Sequence, residues 1–188
     1  TTGEGGMIVT SEKKLADKCK KYRNLSFEPD GKRFIHNEFG WNYRMTNIQA
    51  AIGLAQLEKI NYYIDLKRKI GNYYIDHLNH LRNIKIPTKQ NNDSENIFWV
   101  FPLLFKNKKD KKYAEKFYSD SGIETRPMFY PMHLQPILIK NKIGNLTDKF
   151  PNSEKIYNTG LYIPSGLGND YQQFDFVIKK TKQLDELL

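Results

Sequence analysis

Asn42 and Arg44 lie two residues apart in the stretch Gly-Trp-Asn-Tyr-Arg-Met-Thr, and their side chains could bind a phosphate group. An asparagine amide is a neutral N–H donor, and an arginine guanidinium adds a charge-assisted contact to a phosphate oxygen. The structural alternatives are an asparagine that only stabilises a loop turn and an arginine in an ion pair at the start of a helix. The residue types alone leave these alternatives open.

A second group of polar side chains lies on a segment that Pro127, Pro131 and Pro136 interrupt. Prolines at this spacing indicate an irregular loop, and loops on a rigid scaffold often carry binding residues. We therefore expect this loop to contact a sugar or a diphosphate. Its candidate substrate-binding residues are Arg126, Tyr130, His133 and Gln135. A purely structural role is the alternative for His133 and for Gln135.

The sequence gives little support for metal chemistry or for an acid/base pair. The histidines lack a ligand spacing such as a close helical pair; they are His36, His77, His80 and His133. The single cysteine, Cys19, excludes an internal disulfide and a multi-cysteine metal site within one chain. Glu4 lies in a glycine-rich loop, where carboxylates often bind backbone N–H groups, and no second carboxylate pairs with it. We predict no metal site and assign no catalytic residue.

The chain is strongly basic, with a formal net charge of +9. Clustered basic residues bind nucleic acid by releasing counterions from phosphates, so a basic nucleic-acid binder is one hypothesis. The lysines instead fall into separate groups on predicted helix faces, which favours a solvated surface and no nucleic-acid partner. No apolar run approaches the roughly 20 residues that cross a bilayer, and the first residues do not resemble a signal peptide. We therefore expect a soluble, cytoplasmic protein with no membrane partner.

Residues 7–10 predict a short buried strand after a glycine-rich loop. A strand needs hydrogen-bonded neighbours, and the residues that follow do not supply them. We therefore expect this strand to belong to a larger sheet and the chain to be a fragment. Without that sheet, residues 7–9 should be exposed, which predicts weak stability or self-association.

Two helices are predicted within the first 60 residues. Ser11 is the expected cap of the first, which ends near Arg23 and turns Leu15 and Cys19 inward. Thr46 is the expected cap of the second, and the residues between the helices predict a loop. Apolar and small residues recur on one face of the second helix, which suits burial at a domain or subunit junction; they are Ile48, Ala51, Ile52 and Ala55.

From Lys59 the helical pattern continues to Leu81, as one long helix or as two nearly collinear helices. We expect this segment to connect two domains. The expected boundaries are residues 1–60, the remainder of a larger domain, and residues 61–188, a smaller α/β domain.

The predicted smaller domain begins with an aromatic strand. Residues 98–105 predict a buried strand in which Trp99 belongs to the core, and residues 110–121 predict a helix that the next glycine ends. Ser153 is an expected helix cap, and residues 170–188 predict a closing amphipathic helix. Strands that alternate with helices indicate an α/β or α+β fold.

Three segments resemble the DegT/DnrJ/EryC1/StrS family of sugar aminotransferases. In order along the chain they are residues 1–10 (TTGEGGMIVT), residues 40–51 (GWNYRMTNIQAA) and residues 125–136, with TRP at one end and PMHLQP at the other. A single glycine motif would be weak evidence, but three ordered segments that span most of the chain are specific. The sequence is most similar to members that aminate nucleotide-linked 4-keto-6-deoxy sugars, of the perosamine and viosamine synthase type.

The resemblance implies the C-terminal half of a fold-type I transferase that depends on pyridoxal 5'-phosphate. It implies an α/β fold made of the end of the large domain and the small domain, and a homodimer with its active site at the subunit interface. The expected substrates are a sugar nucleotide and an amino-acid donor, which we expect to be glutamate. In the family the Schiff-base lysine lies just before the segment similar to residues 1–6, so the chain alone is expected to be inactive.

The same resemblance implies roles for the candidate residues. Asn42 is expected to bind the cofactor phosphate of the neighbouring subunit, and Arg44 is expected to support that contact. The residues expected to bind the substrate are Arg126, Tyr130, His133 and Gln135. The alternative hypothesis is a non-catalytic remnant, or a dimerisation module that pairs with an intact homologue.

Overall fold

The polypeptide divides into two structural units, residues 1–60 and residues 61–188. This division is seen in a computed structural model that describes residues 1–28, 31–32, 34–91, 93–144 and 148–188. The helices are α1 (Lys13–Arg23), α2 (Asn47–Leu57), α3 (Ile60–Leu78), α4 (Lys108–Asp120), α5 (Pro136–Lys140), α6 (Pro151–Thr159) and α7 (Tyr171–Leu187). The strands are β1 (Phe101–Leu104), β2 (Arg126–Pro127) and β3 (Gly160–Ile163), and a 3-10 turn spans Met132–Leu134.

Residues 7–10 do not form the predicted strand. They have no regular secondary structure, and Met7 and Val9 are 84% and 88% exposed. The described residues of the first unit contain no strand that could pair with residues 7–10, so the backbone N–H and C=O groups of these residues form no sheet hydrogen bonds. The expected exposure of this apolar segment is confirmed.

The predicted cap of α1 is wrong. Glu12 precedes the helix without a side-chain cap, while the hydroxyl of Thr10 accepts a hydrogen bond from the Glu12 backbone N–H at 3.1 Å. Leu15 is 42% exposed and Cys19 is only partly buried, so neither faces a core. The helix is a charged element whose apolar side chains remain at the surface.

The predicted cap of α2 is confirmed. The Thr46 side chain accepts a hydrogen bond from the Gln49 backbone N–H, and the Gln49 side chain accepts one from the Thr46 backbone N–H at 2.9 Å. This reciprocal capping box satisfies two donors that a helix start leaves unpaired. The apolar face of α2 is uncovered in the structure, with Ile48 at 75% and Ile52 at 45% exposure. α2 ends at Leu57 and α3 begins at Ile60, so the chain forms two helices between Asn47 and Leu78.

The sheet of the second unit is antiparallel, with strand order β1-β3-β2. Phe101 pairs with Ile163 and Leu103 pairs with Leu161, and all four side chains are at most 1% exposed. Cross-strand partners share a face, so these four residues define the core face of the sheet. Tyr162 lies between two of them in β3 and therefore points to the opposite side, which we call the outer face.

Two buried tyrosines join α3 and α4 to other elements of the core. The Tyr74 hydroxyl donates to the carbonyl of Pro164 at 2.7 Å, and its ring lies 4.8 Å from that of Phe101. The Tyr118 hydroxyl lies 2.8 Å from Thr181 Oγ1, which itself donates to a backbone carbonyl. Because the threonine hydroxyl has one hydrogen, Tyr118 is the donor in this pair. Both phenols are thus hydrogen-bonded inside an otherwise apolar core.

Phe98 anchors the chain just before β1. Its backbone has a φ of 51°, in the left-handed region, and its ring packs against Gly71 of α3 so closely that a Cβ at position 71 would overlap it. Phe98 is 2% exposed, whereas the next residue, Trp99, is 68% exposed. The prediction that Trp99 belongs to the core is therefore wrong, because the turn at Phe98 buries one ring and exposes the next.

Asp185 fastens the end of α7 to the segment after α3. Its carboxylate is 8% exposed and accepts hydrogen bonds from the backbone N–H groups of Arg82, Asn83 and Ile84 at 2.9, 2.8 and 3.1 Å. Hydrogen bonds to a charged group are stronger than neutral ones. This carboxylate therefore satisfies a run of backbone donors that would otherwise lack partners.

The predictions for the ends of α4, α6 and α7 have different outcomes. The predicted glycine after α4 is confirmed, since Gly122 has a φ of 71°. The cap of α7 at Asp170 agrees with the predicted helix and forms a capping box with Gln173. Ser153 is not a cap, because α6 begins at Pro151, and a proline suits the first helical position. None of the helices in the described ranges is long and apolar enough to cross a membrane.

Gly71→Ala should destabilise the second unit. Alanine normally stabilises a helix by about 1 kcal/mol over glycine, but here its Cβ would overlap the Phe98 ring. Overpacking a core typically costs about 1–3 kcal/mol, so we expect a net loss measurable by urea denaturation. Lys69→Ala, at an exposed position of the same helix, is the control and should change stability by less than about 0.5 kcal/mol. Unchanged or increased stability of Gly71→Ala would contradict the described packing.

Alkaline pH should unfold the second unit through its buried tyrosines. Burial raises the pKa of Tyr74 and of Tyr118 above the ordinary value for tyrosine. The unfolded chain therefore releases these protons near pH ~10 while the folded chain keeps them, and stability falls as pH rises above that point. Each such group contributes a slope of up to about 1.4 kcal/mol per pH unit.

Tyr118→Phe tests this prediction because it removes one of the two phenols. We expect a loss of about 1 kcal/mol at neutral pH, from the missing hydrogen bond to Thr181, and a flatter loss of stability above pH ~10. Burial also lowers the pKa of Lys67, and this shift makes stability rise with pH just below pH ~10. Because the shift is common to both proteins, it does not affect their comparison. Tyr113→Phe, at an exposed position of α4, is the control. Equal slopes for Tyr118→Phe and the unmodified chain would refute the prediction.

Candidate functional site

The loop that carries Asn42 is fixed to the end of α1. The backbone N–H of Trp41 donates to Tyr22 at 2.8 Å, and that of Tyr43 donates to Arg23 at 3.0 Å. Asn42 therefore lies between two backbone hydrogen bonds to the helix. This arrangement gives an exposed asparagine a defined position.

Side chains reinforce the same loop from α1. The Lys21 ammonium lies 2.6 Å from Glu28 and 3.2 Å from Glu38. Hydrogen bonds to Glu28 and then to Glu38 raise the pKa of Lys21, and the hydrogen bond from Lys21 lowers the pKa of Glu38. Ser26 is fully buried, and its hydroxyl donates to the carbonyl of Phe39 at 2.9 Å. The loop is thus held by polar contacts.

Asn42 and Arg44 contact each other directly. Arg44 Nε donates to Asn42 Oδ1 at 3.1 Å, and both side chains are exposed. Within the described residues, Arg44 makes this contact and no ion pair with a carboxylate, so the ion pair considered from the sequence is not observed. The bond leaves the amide N–H groups of Asn42 and the terminal N–H groups of Arg44 as donors. Such a pair fits an anionic group such as a phosphate.

Tyr130 and His133 are brought together by α6. His133 Nε2 lies 3.1 Å from Glu154 Oε1, and the Tyr130 ring meets the Tyr157 ring edge-on at 4.9 Å between centroids. Glu154 and Tyr157 are three residues apart and therefore share one face of the helix. Tyr130 and His133 thus lie along a single helical face, and the ring of Phe150 packs on His133 at 4.8 Å.

A buried lysine positions α6. Lys111 Nζ donates to the carbonyl of Tyr157 at 2.9 Å and lies 5.2 Å from the centre of its ring. A cation near the last carbonyls of a helix is stabilising, and a cation over an aromatic ring adds to it. Lys111 is only 9% exposed, so it departs from the solvated surface predicted for the lysines of this segment. Its stem is buried because its ammonium has a partner.

Arg126 and Gln135 make different local contacts. An Nη of Arg126 lies 3.1 Å from Glu124 Oε1 in an exposed ion pair, which is a weak interaction in water. The backbone carbonyl of Gln135 accepts hydrogen bonds from Leu138 and Ile139 at 3.0 and 3.1 Å, while its side chain makes no cap bond. The structure therefore brings Tyr130 and His133 together, and it gives Arg126 and Gln135 separate surroundings on the same loop.

Sequence reasoning missed Glu154 as a partner of His133. The available signal was a proline at the first position of α6 with an acidic residue three positions later, a common pattern in the first turn of a helix. The sequence offered no signal that this carboxylate would meet a histidine 21 residues earlier. Across the described ranges, no cluster of three or more His, Cys, Asp or Glu side chains could hold a metal ion.

Lys67 is the lysine whose surroundings most resemble those of a reactive amine. Burial lowers its pKa, and Nζ donates to the carbonyl of Ser165 at 2.6 Å and lies 3.3 Å from its hydroxyl. These bonds fasten α3 to the turn after β3. We therefore assign Lys67 a structural role.

Glu154→Ala should release His133. The variant removes the acceptor at Nε2, so we expect a changed tautomer population of the His133 ring and faster proteolysis of the loop around it. The expected stability loss is about 1 kcal/mol, because the pair is partly exposed. Glu154→Gln keeps an oxygen that can accept the bond and should preserve the tautomer. Imidazole ¹⁵N chemical shifts provide the measurement.

Lys155→Ala, at the neighbouring exposed position of α6, is the matched control for this experiment. It should leave the ¹⁵N shifts of His133 and the cleavage rate unchanged. Identical His133 spectra in Glu154→Ala and the unmodified chain would mean that the contact does not orient the ring.

Comparisons with known proteins agree on one family. A family model described as the DegT/DnrJ/EryC1/StrS aminotransferase family matches residues 1–182. The GDP-perosamine synthase of Escherichia coli O157:H7 is 36% identical over 88% of this chain and 43% of its own length. That of Caulobacter vibrioides is 33% identical over 98% of this chain and 49% of its own length. The chain thus spans about half the length of the curated relatives it matches.

Solved structures show the same relation in the fold. PseC of Helicobacter pylori, an aminotransferase involved in the biosynthesis of pseudoaminic acid, matches with a TM-score of 0.82 at 20% identity, over 100% of this chain and 50% of PseC. The aminotransferase TlmJ of Streptoalloteichus hindustanus gives 0.83 at 19% identity, over 97% and 48%. The predicted α/β fold, as part of a fold-type I transferase, is confirmed by these matches.

Proposed function

The chain belongs to the DegT/DnrJ/EryC1/StrS aminotransferase family, and we propose that it is the C-terminal half of an enzyme that aminates a nucleotide-linked 4-keto-6-deoxy sugar. Two relatives that match 88% and 98% of the chain are GDP-perosamine synthases, which supports a perosamine-type reaction. Glutamate is the proposed amino donor. In this proposal, residues 1–60 complete the large domain and residues 61–188 form the small domain.

The observation that carries the proposal is the pairing of Asn42 with Arg44. Members of the family bind pyridoxal or pyridoxamine phosphate, and an exposed amide beside a guanidinium fits the phosphate of that cofactor. We propose that the pair binds the cofactor phosphate of the neighbouring subunit in a homodimer. When bound, the cofactor supplies an electron sink for the transfer of the amino group, and the lysine that holds it belongs to the other half of the enzyme.

The loop of residues 126–135 is the proposed substrate-binding segment. Arg126 presents a fork of N–H donors that matches a diphosphate, and its ion pair with Glu124 is weak enough to be exchanged. His133 has Nε2 committed to Glu154, so Nδ1 is the ring nitrogen left for a sugar hydroxyl. Tyr130 and Gln135 add a hydroxyl and an amide to the same loop.

An interaction module is the second candidate function, and the exposed apolar residues of the first unit favour it. Met7, Val9 and Ile48 are each at least 75% exposed. A module that pairs with an intact homologue would cover such a surface. Mixing the chain with a catalytically intact relative separates the two functions, since a stable mixed dimer without added activity supports the module.

Asn42→Ala should weaken cofactor binding in the full-length protein that this proposal implies. Losing one hydrogen bond to a charged group costs about 1.5–3 kcal/mol, so the affinity for pyridoxal phosphate should fall by roughly 10-fold or more. The measurements are the visible absorbance of bound cofactor and the glutamate-dependent amination of a GDP-linked 4-keto-6-deoxy sugar.

Asn61→Ala provides the matched control, because Asn61 is exposed and lies at the start of α3. It should leave cofactor affinity unchanged. A full-length protein that binds the cofactor normally after Asn42→Ala would remove Asn42 from the site, and transamination by the 188-residue chain alone would overturn the division into halves.

A further inference from the structure

Three aromatic rings form a row on the outer face of the sheet. The rings of Trp99 and Phe129 are 5.9 Å apart between centroids with planes inclined by 8°, and Phe129 and Tyr162 are 6.5 Å apart with planes inclined by 24°. Trp99 and Phe129 are 68% and 61% exposed. Aromatic pairs prefer offset stacking of this kind, so the rings present nearly parallel planes to their surroundings. We call these three residues the aromatic row.

The strand register explains why the row lies outside the core. Tyr162 alternates with Leu161 and Ile163, which are buried on the core face. Its cross-strand partners are Pro102 in β1 and Arg126 in β2, and partners share a face. The guanidinium of Arg126 is therefore on the same side of the sheet as the aromatic row.

Two members of the row, Trp99 and Phe129, are each held by a separate backbone constraint. Trp99 follows Phe98, whose ring is fixed against Gly71. Phe129 follows Met128, whose backbone N–H donates to the carbonyl of Gly160 at 3.3 Å.

Gly160 makes this second attachment possible. A Cβ at position 160 would lie 2.6 Å from Cγ of Met128, so the loop can approach β3 this closely only because the residue is glycine. The rings are thus set in place before any ligand binds, which lowers the entropy cost of binding.

Nearly parallel rings with a guanidinium on the same side of the sheet match one class of ligand closely. Nucleobases have π-faces that stack on aromatic side chains with about 1–3 kcal/mol per base, and arginine binds diphosphate oxygens through its fork of donors. A protein partner would gain from apolar area but would not need parallel ring planes or a cation on the same face. The combination therefore favours a nucleoside diphosphate over an apolar protein surface.

We propose that the aromatic row of Trp99, Phe129 and Tyr162 binds the nucleobase of the sugar nucleotide, with Arg126 at its diphosphate. This inference rests on the proposed function, because that function supplies the nucleotide-linked substrate. The base stacks on the row, while the diphosphate replaces the Glu124 carboxylate as the partner of the Arg126 guanidinium. The row is then the part of the small domain that recognises the nucleotide rather than the sugar.

The test uses the 188-residue chain, which contains two tryptophans and therefore gives two indole N–H signals in a ¹⁵N correlation spectrum. Trp99→Phe assigns the signal of Trp99, and the other belongs to Trp41. Titration with GDP should shift the Trp99 signal to saturation. Titration with inorganic pyrophosphate, which has no base, should leave it in place.

Two variants quantify the contributions of the row and of the cation. Phe129→Leu keeps an apolar side chain but removes a stacking plane, so the affinity for GDP should fall by about 10-fold. Arg126→Ala should weaken GDP binding while the Trp99 signal still shifts at saturation. Tyr113→Leu removes an exposed ring of α4 outside the row and should bind GDP normally. The dispersion of each spectrum confirms that the variant is folded.

Several outcomes would overturn the proposal. The first is a Trp99 signal that GDP does not shift, or that pyrophosphate shifts equally. The second is normal affinity for GDP in Phe129→Leu. The third is a Trp99 signal that shifts with protein concentration in the absence of nucleotide, which would indicate that a second copy of the chain covers the row. Failure of the proposed function is distinguishable. A full-length protein that binds GDP through the row but aminates no keto sugar would retain this inference and lose that function.

Discussion

The contact between the Phe98 ring and the bare backbone of Gly71 determines how the second unit divides into an inside and an outside. Because the Phe98 ring is packed tightly against Gly71, the chain enters β1 with Phe101 and Leu103 on the core face. The left-handed backbone at Phe98 then sends Trp99 to the other side. A single close approach between a helix and a turn thereby assigns one set of aromatic residues to stability and leaves another set for recognition.

Local signals made part of the fold predictable from the sequence. Thr46 caps its helix through hydrogen bonds to a residue three positions away. Gly122 adopts the left-handed backbone conformation that ends α4. In both cases the nearby sequence contains the needed information. Ser153 misled because a proline two positions earlier is a stronger start signal than a serine. Trp99 misled because hydrophobicity alone does not state which side of a turn a ring occupies.

The candidate site was predictable to a different extent. Asn42 and His133 could be chosen as candidates because their neighbours in sequence form motifs, and motifs are linear. The partner of His133 was not found, since Glu154 meets it only after α6 has docked, and that docking depends on a lysine from another helix. Pairings between distant segments depend on packing, which periodicity does not encode. The fold and the family, in contrast, follow from the chain as a whole.

The carboxylate of Asp185 has a consequence for how the protein is made. Its hydrogen bonds to the segment after α3 join residues separated by 101 to 103 positions in the chain. A ribosome therefore releases that segment long before its acceptor has been synthesised, and the waiting amides must be solvated by water in the meantime. Closure of so long a loop is entropically costly and slow, so this part of the molecule should acquire its native order late, only after Asp185 has been synthesised and has left the ribosome.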